Sequence, residues 1–274
     1  MITTRRSTGP WLCLSLCLPI LSVHAGQPLE TETARLLKQG ETQVEAAFEF
    51  QTSSQGKEYA TPLAIEYGLT DWLQLLVEPV FFTNISPKGG GGATGLGDLE
   101  VSLFAKFLDE TDVLPALALA AEVKIPTARN NQIGTGKTDF TPFLVASKKF
   151  GDFDVSANVG YSFNGSPSGT KLKNTFNAAF AIEYKLNEHW ELVAEVLYVS
   201  SSLSGNTAGE TADTTTTKAT AAGESAQFPE IGGKEVLGMV GARYIVNETW
   251  SVSLGVTYDN NHALLIRPGI TVKF

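Results

Sequence analysis

Two histidines, one glycine run and a set of regularly spaced charges are what this 274-residue chain offers to chemistry. Nucleophilic catalysis needs a hydroxyl or thiol within hydrogen-bond reach of a base that a third group orients. His189 stands beside Trp190 in a turn-like stretch, and His262 follows Asn261 with no serine beside it. The positions two residues beyond them hold Glu191 and Leu264, so no His-x-Ser arrangement is present. Two histidines in separate turns do not make one metal site either. Gly89-Gly90-Gly91-Gly92 lacks the Lys-Ser/Thr pair of a phosphate-cradling loop, and Lys137-Thr138 has Asn131 where the upstream glycine belongs. No catalytic residue, metal ligand or cofactor is therefore expected, and the chain is not expected to be an enzyme. The chemistry that remains is electrostatic.

The charges sit at alternate positions. Residues 174–186 place Phe176, Phe180, Ile182, Tyr184 and Leu186 on one face, with Asn177, Ala181, Glu183 and Lys185 on the other. Residues 153–164 repeat this, with Val155, Val159, Tyr161 and Phe163 opposed to Asp154, Ser156, Asn158 and Ser162. Such strands have one dry and one polar face. The pattern alone does not say whether the dry face is a core or faces lipid.

Context decides between them. Arg5 and Arg6 precede an apolar run over residues 11–23, followed by Val23-His24-Ala25, which is the plan of a secretory signal peptide cut after Ala25. Both cysteines, Cys13 and Cys17, lie within it, so the exported chain is expected to contain no disulfide. Losing Arg5 and Arg6 takes the net charge from −9 to −11, which disfavours nucleic acid as a partner. Beyond residue 25 no stretch approaches the ~20 apolar residues of a membrane helix. An exported chain that enters lipid without helices must close a sheet on itself.

The elements fit that closed sheet. Residues 26–40 read as a polar periplasmic segment with a short helix over 31–37. Twelve strands follow, at 42–51, 58–68, 73–82, 98–108, 114–125, 138–150, 153–164, 174–186, 191–200, 235–246, 251–259 and 263–274. They are 9 to 13 residues long, whereas soluble strands cluster at ~5 to 6 and bilayer-crossing strands need ~9 to 11. Tight turns follow even-numbered strands and longer loops follow most odd-numbered ones, an asymmetry of outer-membrane barrels that puts the turns in the periplasm. The last strand, ending on Phe274, resembles the closing strand of that class, which implies recognition by the barrel-assembly machinery. Tyr67, Trp72, Tyr184, Trp190, Tyr244, Trp250 and Phe274 gather on the short-turn side as a girdle for the interface with outer-membrane lipid. The fold expected is all-β, an antiparallel up-and-down transmembrane barrel over 41–274.

With the apolar face outward, the lumen is lined by Glu66, Glu78, Glu100, Lys106, Glu122, Lys124, Glu183, Lys185, Glu191, Glu195, Arg243 and Arg267, together with Glu45 and Glu49. These charges either form a selectivity surface or pair across strands and hold the wall. Glu183, Glu191 and Glu195, offset only by Lys185, predict a negative wall and a modest cation preference. Gly160, Ala179, Ala181, Gly241 and Gly255 leave room for a narrow pore.

Several short motifs, in order, carry a family resemblance. They are Pro28-Leu29-Glu30-Thr31-Glu32-Thr33-Ala34, Gly40, Tyr67-Gly68-Leu69-Thr70-Asp71, Gly95-Leu96-Gly97-Asp98, Pro126-Thr127, Ser147-Lys148-Lys149-Phe150-Gly151 and Phe274. On these the chain resembles the bacterial outer-membrane proteins grouped under the meta-pathway of phenol degradation. The resemblance implies a barrel channel or transporter for small solutes, with hydrophobic or aromatic compounds suggested by the family's name. The alternative is a structural or adhesive barrel with a filled lumen and functional extracellular loops.

Residues 204–227, rich in Thr, Ala, Gly and Glu, offer a sheet nothing to bury. The connection 201–234 is therefore expected on the cell surface, and protease added to intact cells should cut there first. Cleavage only after lysis would invert the topology.

Overall fold

The computed structural model describes residues 29–167, 169, 171–202 and 233–274. The signal peptide with its cut at Ala25 and the centre of the 201–234 connection lie outside the described residues.

Fourteen hydrogen-bonded segments make twelve barrel strands, because two strands are interrupted. Strand β1 comprises Thr42–Ala47 and Glu49–Thr52. Strands β2 (Gly56–Thr70) and β3 (Leu73–Pro87) are the longest. Strand β4 comprises Ala93–Gly95 and Leu99–Leu108. There follow β5 (Ala116–Ile125), β6 (Asp139–Phe150), β7 (Phe153–Ser162), β8 (Thr175–Lys185), β9 (Trp190–Val199), β10 (Glu235–Ile245), β11 (Trp250–Asp259) and β12 (Leu264–Lys273). Each pairs antiparallel with its neighbours in sequence. Strand β1 also pairs with β12, through Gln43↔Lys273 to Ala47↔Gly269 and Ile266↔Phe50 to Leu264↔Thr52, so the sheet closes. No helix among the described residues is long and apolar enough to cross a membrane.

The interruptions have local causes. Proline has no N–H to give a ladder, and β1 breaks at Phe48 where it faces Pro268, leaving one bond from the Phe48 N–H to the Pro268 carbonyl at 3.0 Å. Pro62 pairs with Val80 at a register shift between β2 and β3, and the extra residue turns both Phe81 and Phe82 outward. The expected strand over 42–51 is thus two pieces, and the strand expected over 98–108 resumes in unchanged register at Ala93–Gly95 beyond a gap over 96–98. The other expected strands lie within a few residues of those observed.

The outer face is apolar. Val240, Leu119, Leu254, Phe180 and Val159 are all exposed, while their strand neighbours Met239, Ala118, Thr257, Ala181 and Ser156 are buried. Exposed large hydrophobics over so much of the wall need lipid. Part of the inner face of β2 to β6 is apolar as well, which the alternation does not predict. Ala64, Leu76, Phe104, Ala116, Ala118, Ala120, Phe143 and Val145 form one buried cluster inside the barrel, and Phe104 meets Phe143 edge-to-face at 5.6 Å. On β5 the inward alanines and the outward Leu117 and Leu119 are both hydrophobic, so sequence polarity does not separate the faces there.

If the outer face meets hydrocarbon, Val240→Arg, at mid-strand and 62% exposed, is expected to cost about 2–4 kcal/mol in lipid, and Val246→Arg beside the short-turn rim about 0–1 kcal/mol. Reversible denaturant unfolding in liposomes measures both. Equal costs would remove the lipid-facing assignment.

Candidate functional site

The space inside the barrel is occupied by the chain itself. Gly40 takes φ 83°, a left-handed conformation open to glycine, and there the segment before β1 turns back into the lumen. It leaves across the wall at Gly68, where a Cβ would lie 2.0 Å from the Lys38 carbonyl. The Gly40 N–H donates to the Gly68 carbonyl at 2.8 Å and the Gly68 N–H to the Glu41 carbonyl at 3.0 Å. The segment expected as a periplasmic stretch with a short helix is instead irregular, and residues 29–37 run against inward-facing side chains. It forms no helix because its backbone bonds go to the wall.

Those bonds can be followed residue by residue. Glu195 accepts from the Glu30 and Thr31 N–H groups at 3.2 and 3.1 Å and from the Thr31 hydroxyl at 3.1 Å. The Asn158 amide, in the orientation its neighbours require, spans the Glu32 N–H and carbonyl at 2.7 and 3.0 Å. The Ala34 N–H donates to Ser147 at 2.9 Å, and the Leu37 N–H to the Gln74 side-chain oxygen at 2.7 Å. Apolar residues complete the fit. Ala34 and Leu36 join the inner cluster around Phe104, and Leu29 packs with Val193 and Met239. A Cβ on Gly241 would stand 2.6 Å from Leu29 Cδ1. The small residues expected to leave a pore at Gly241 and Gly255 therefore receive Leu29. Beside Glu30, Phe143, Asn158 and Leu197 lies a half-open cavity of about 30 Å³, room for water.

The charged set divides into ties. Arg267 donates to the Leu29 carbonyl at 2.6 Å and to Glu30 at 2.7 Å, and lies 3.5 Å from Glu45 and 3.3 Å from Glu49. Arg243 lies between Glu183 at 2.9 Å and Glu191 at 3.1 Å. Glu66 accepts from Gln43 and Gln74, both at 2.8 Å. Lys124 pairs with Asp139, bonds Thr135 at 3.3 Å and stands 4.0 Å from Asp98. Lys106 pairs with Asp109 in the following turn at 2.7 Å. Glu100 and Glu122 are buried, Glu78 is half-buried, and Lys185 is exposed at the short-turn rim. The negative wall expected from Glu183, Glu191 and Glu195 is therefore neutralised or engaged. Arg243, two strands from Glu183, supplies the counter-charge that a reading of β8 and β9 alone assigns to Lys185.

The rim aromatics cluster in pairs. Tyr67, Trp72, Trp190, Trp250 and Phe274 are exposed, Tyr184 and Tyr244 half-buried. Trp190 lies 4.9 Å from Tyr244 and Phe153 4.7 Å from Tyr184, ring centre to ring centre. Trp72 precedes β3, in the turn. His189 bonds the Ile245 carbonyl through Nδ1 at 2.9 Å, and His262 meets the Tyr258 hydroxyl at 2.7 Å. Among the described residues no group of three or more His, Cys, Asp or Glu is placed to hold a metal ion.

Residues 25–229 match the family described as "Putative MetA-pathway of phenol degradation". The chain belongs to this family. No curated protein matches it. Among solved structures it is similar to the COG4313 outer membrane channel from Pseudomonas putida F1, with a TM-score of 0.65 and 13% identity over 88% of this chain and 98% of that one. The NanC porin gives 0.56 at 10% identity, over 84% and 100%. The KdgM porin in complex with disordered oligogalacturonate gives 0.53 at 11%, over 85% and 99%. At these identities the likeness is one of fold, the closed antiparallel barrel of outer-membrane proteins.

Sequence reasoning overlooked Arg35, which ties the lumen segment to the short-turn rim. It donates to Glu110 at 2.7 Å and pairs with Asp154. Burial raises the Glu110 pKa, but bonds from the Lys149 N–H, Arg35 and Lys148 outweigh it and hold the carboxyl below its usual range. A carboxyl lowered on folding contributes stability that is complete above its unfolded pKa, ~4.3 for Glu, and lost as pH falls through the folded value. Amide protection of residues 34–37, corrected for intrinsic exchange, should therefore hold at neutral pH and fall below about pH 4. Glu110→Gln should lower it at neutral pH. Protection indifferent to Glu110 would remove this latch.

Proposed function

We propose that this protein is an outer-membrane channel for small solutes whose lumen is closed by its own residues 29–39. The single observation that carries the reading is the attachment of that segment. It is not a strand of the wall, and it is held by side-chain hydrogen bonds, ion pairs and modest apolar contacts that hydrated lumen groups could replace. The barrel keeps its own ladder of backbone bonds with or without it. Family membership and the barrel fold support residence in the Gram-negative outer membrane, with lipid against Val240, Leu254 and Phe180.

In this reading the short-turn rim is periplasmic. Tyr67, Trp72, Tyr184, Trp190, Tyr244, Trp250 and Phe274 anchor that interface, and the strand ending on Phe274 is presented to the barrel-assembly machinery. With the segment displaced, Arg243 with Glu183 and Glu191, Arg267 with Glu45 and Glu49, Glu66, Glu78, Glu195 and the apolar cluster around Phe104 would line the path. A lumen with both charged and aromatic walls suits small amphipathic solutes, in keeping with the family's association with phenol breakdown. The reading assigns no catalytic step.

The occupied lumen also favours a second reading, a permanently filled barrel whose loops carry the function. Planar-bilayer conductance separates them. The full mature chain should show low conductance with brief openings, and deletion of residues 29–38 should raise it severalfold while the unboiled protein keeps its faster migration on a denaturing gel. A folded deletion variant that stays closed would leave the filled barrel as the reading.

A further inference from the structure

In a chain of net charge −9, the long-loop end of β1 to β6 is basic. Residues 51–60, 84–97 and 125–137 hold Lys57, Lys88, Arg129 and Lys137 against one acid, Glu58, and Glu58 is buried on the inner face. Lys57, Lys88 and Arg129 are exposed, and none of them has an ion pair among the described residues. Lys57 faces Ser86 across the β2–β3 ladder, and Lys88 comes two positions later, its N–H donating to the Gln55 carbonyl at 2.8 Å. Two like charges thus stand on one diagonal and repel unless an anion lies between them. The polar surface runs on from there. Ser86 Oγ donates to Asn84 Oδ1 at 3.0 Å, and the Asn84 amide to Thr94 Oγ1 at 2.7 Å. Thr94, Leu96, Thr127, Arg129, Asn130 and Asn131 line a cleft of about 830 Å³, the size of a small-molecule site. Its walls are fixed where two of the family motifs meet. The Thr127 hydroxyl donates to the Gly97 carbonyl at 2.8 Å, the Ala128 N–H to Asp98 at 3.0 Å and the Gln132 amide to the Gly91 carbonyl at 2.8 Å. Towards mid-strand the same outer face turns apolar. Phe50 and Phe48 pack on Tyr59 with ring centres 5.1 and 6.3 Å away, and Phe81 and Phe82 are exposed.

We propose that this face binds the phosphorylated sugar head of an outer-leaflet glycolipid. Arg129 offers a planar fork that matches a phosphate bidentately, and Lys57 with Lys88 supplies point charges for a second phosphate. Asn130, Asn131, Thr94 and Thr127 carry the amide and hydroxyl groups that pair with a sugar. The acyl chains descend over Phe81 and Phe82. A free phosphate would gain nothing from that aromatic face, and a zwitterionic phospholipid would leave the three cations largely uncompensated. More than one anionic phosphate, sugar hydroxyls and acyl chains in a single molecule answer all of these features. The proposal takes from the channel reading only its orientation, with the long loops outward, and is indifferent to whether the barrel conducts.

Native mass spectrometry of the full mature chain, refolded in detergent and titrated with bisphosphorylated lipid A, tests the proposal. One saturable lipid A per chain is expected, with phosphatidylethanolamine bound more weakly. Arg129→Gln should weaken lipid A binding about fivefold and the double variant Lys57→Gln, Lys88→Gln about 25-fold, at about a factor of five per cation. Lys149→Gln, exposed at the short-turn rim, should leave it unchanged. Heat-modifiable migration checks that each variant is folded. Equal binding of phosphatidylethanolamine, displacement of lipid A by equimolar inorganic phosphate, or affinity indifferent to both Arg129→Gln and the double lysine variant would each overturn the assignment. Binding in detergent requires neither conduction nor a membrane orientation, so its failure is distinct from a failure of the channel reading.

Discussion

Within hydrocarbon every backbone N–H and C=O must find a partner inside the protein, and each one left over costs several kcal/mol. The pairing of β1 with β12 meets that requirement, because it removes the two free edges that twelve strands in an open sheet would present. Much else follows from closure. Outward side chains must be apolar, and polar residues are driven inward. The ends become rims where Trp and Tyr place a ring in lipid and a polar atom in water. Even the defects obey it, since Pro268 and Pro62 stand where β1 breaks and where β3 bulges against β2, the places at which a missing donor is tolerated.

Closure also creates the problem that the lumen segment solves. Burying a charge is expensive unless it is paired and hydrogen-bonded. The inner wall carries many acids, and two of its groups take partners from the segment. Glu195 receives two N–H groups and a hydroxyl from it, and Arg267 receives a carbonyl and the Glu30 carboxylate. Removing the segment would return these groups to water, which can satisfy them. A plug held by polar contacts is therefore replaceable by solvent in a way that a plug held by a large dry interface is not. The apolar contacts of Leu29, Ala34 and Leu36 set its position in the lumen.

The ion pairs of the wall lie at different heights. Towards the short turns, Arg35, Glu110, Asp154 and Lys148 tie segment to rim. At mid-height Arg243 and Arg267 each serve more than one carboxylate. Towards the long loops, Gln51 Oε1 and Thr83 Oγ1 are buried without a hydrogen-bond partner among the described residues.

The sequence by itself determined the wall. Period-two alternation is a local property, set within a few residues by the opposite directions of successive side chains, so Phe180 against Ala181 or Val240 against Met239 could be sorted before any contact was known. Strand number, strand limits to within a few residues and the short-turn side were legible for the same reason. The contents of the barrel were not. Glu30 meets Arg267 across 237 positions of sequence, and Ala34 meets Ser147 across 113. No periodicity encodes contacts at that separation. Arg243 looked like one more lumen charge until β10 placed it beside Glu183 on β8. Gly241 looked like open space until Leu29 occupied it. Only the closed tertiary structure decides what fills a barrel, because the filling depends on side chains from all round the wall meeting one segment at the axis.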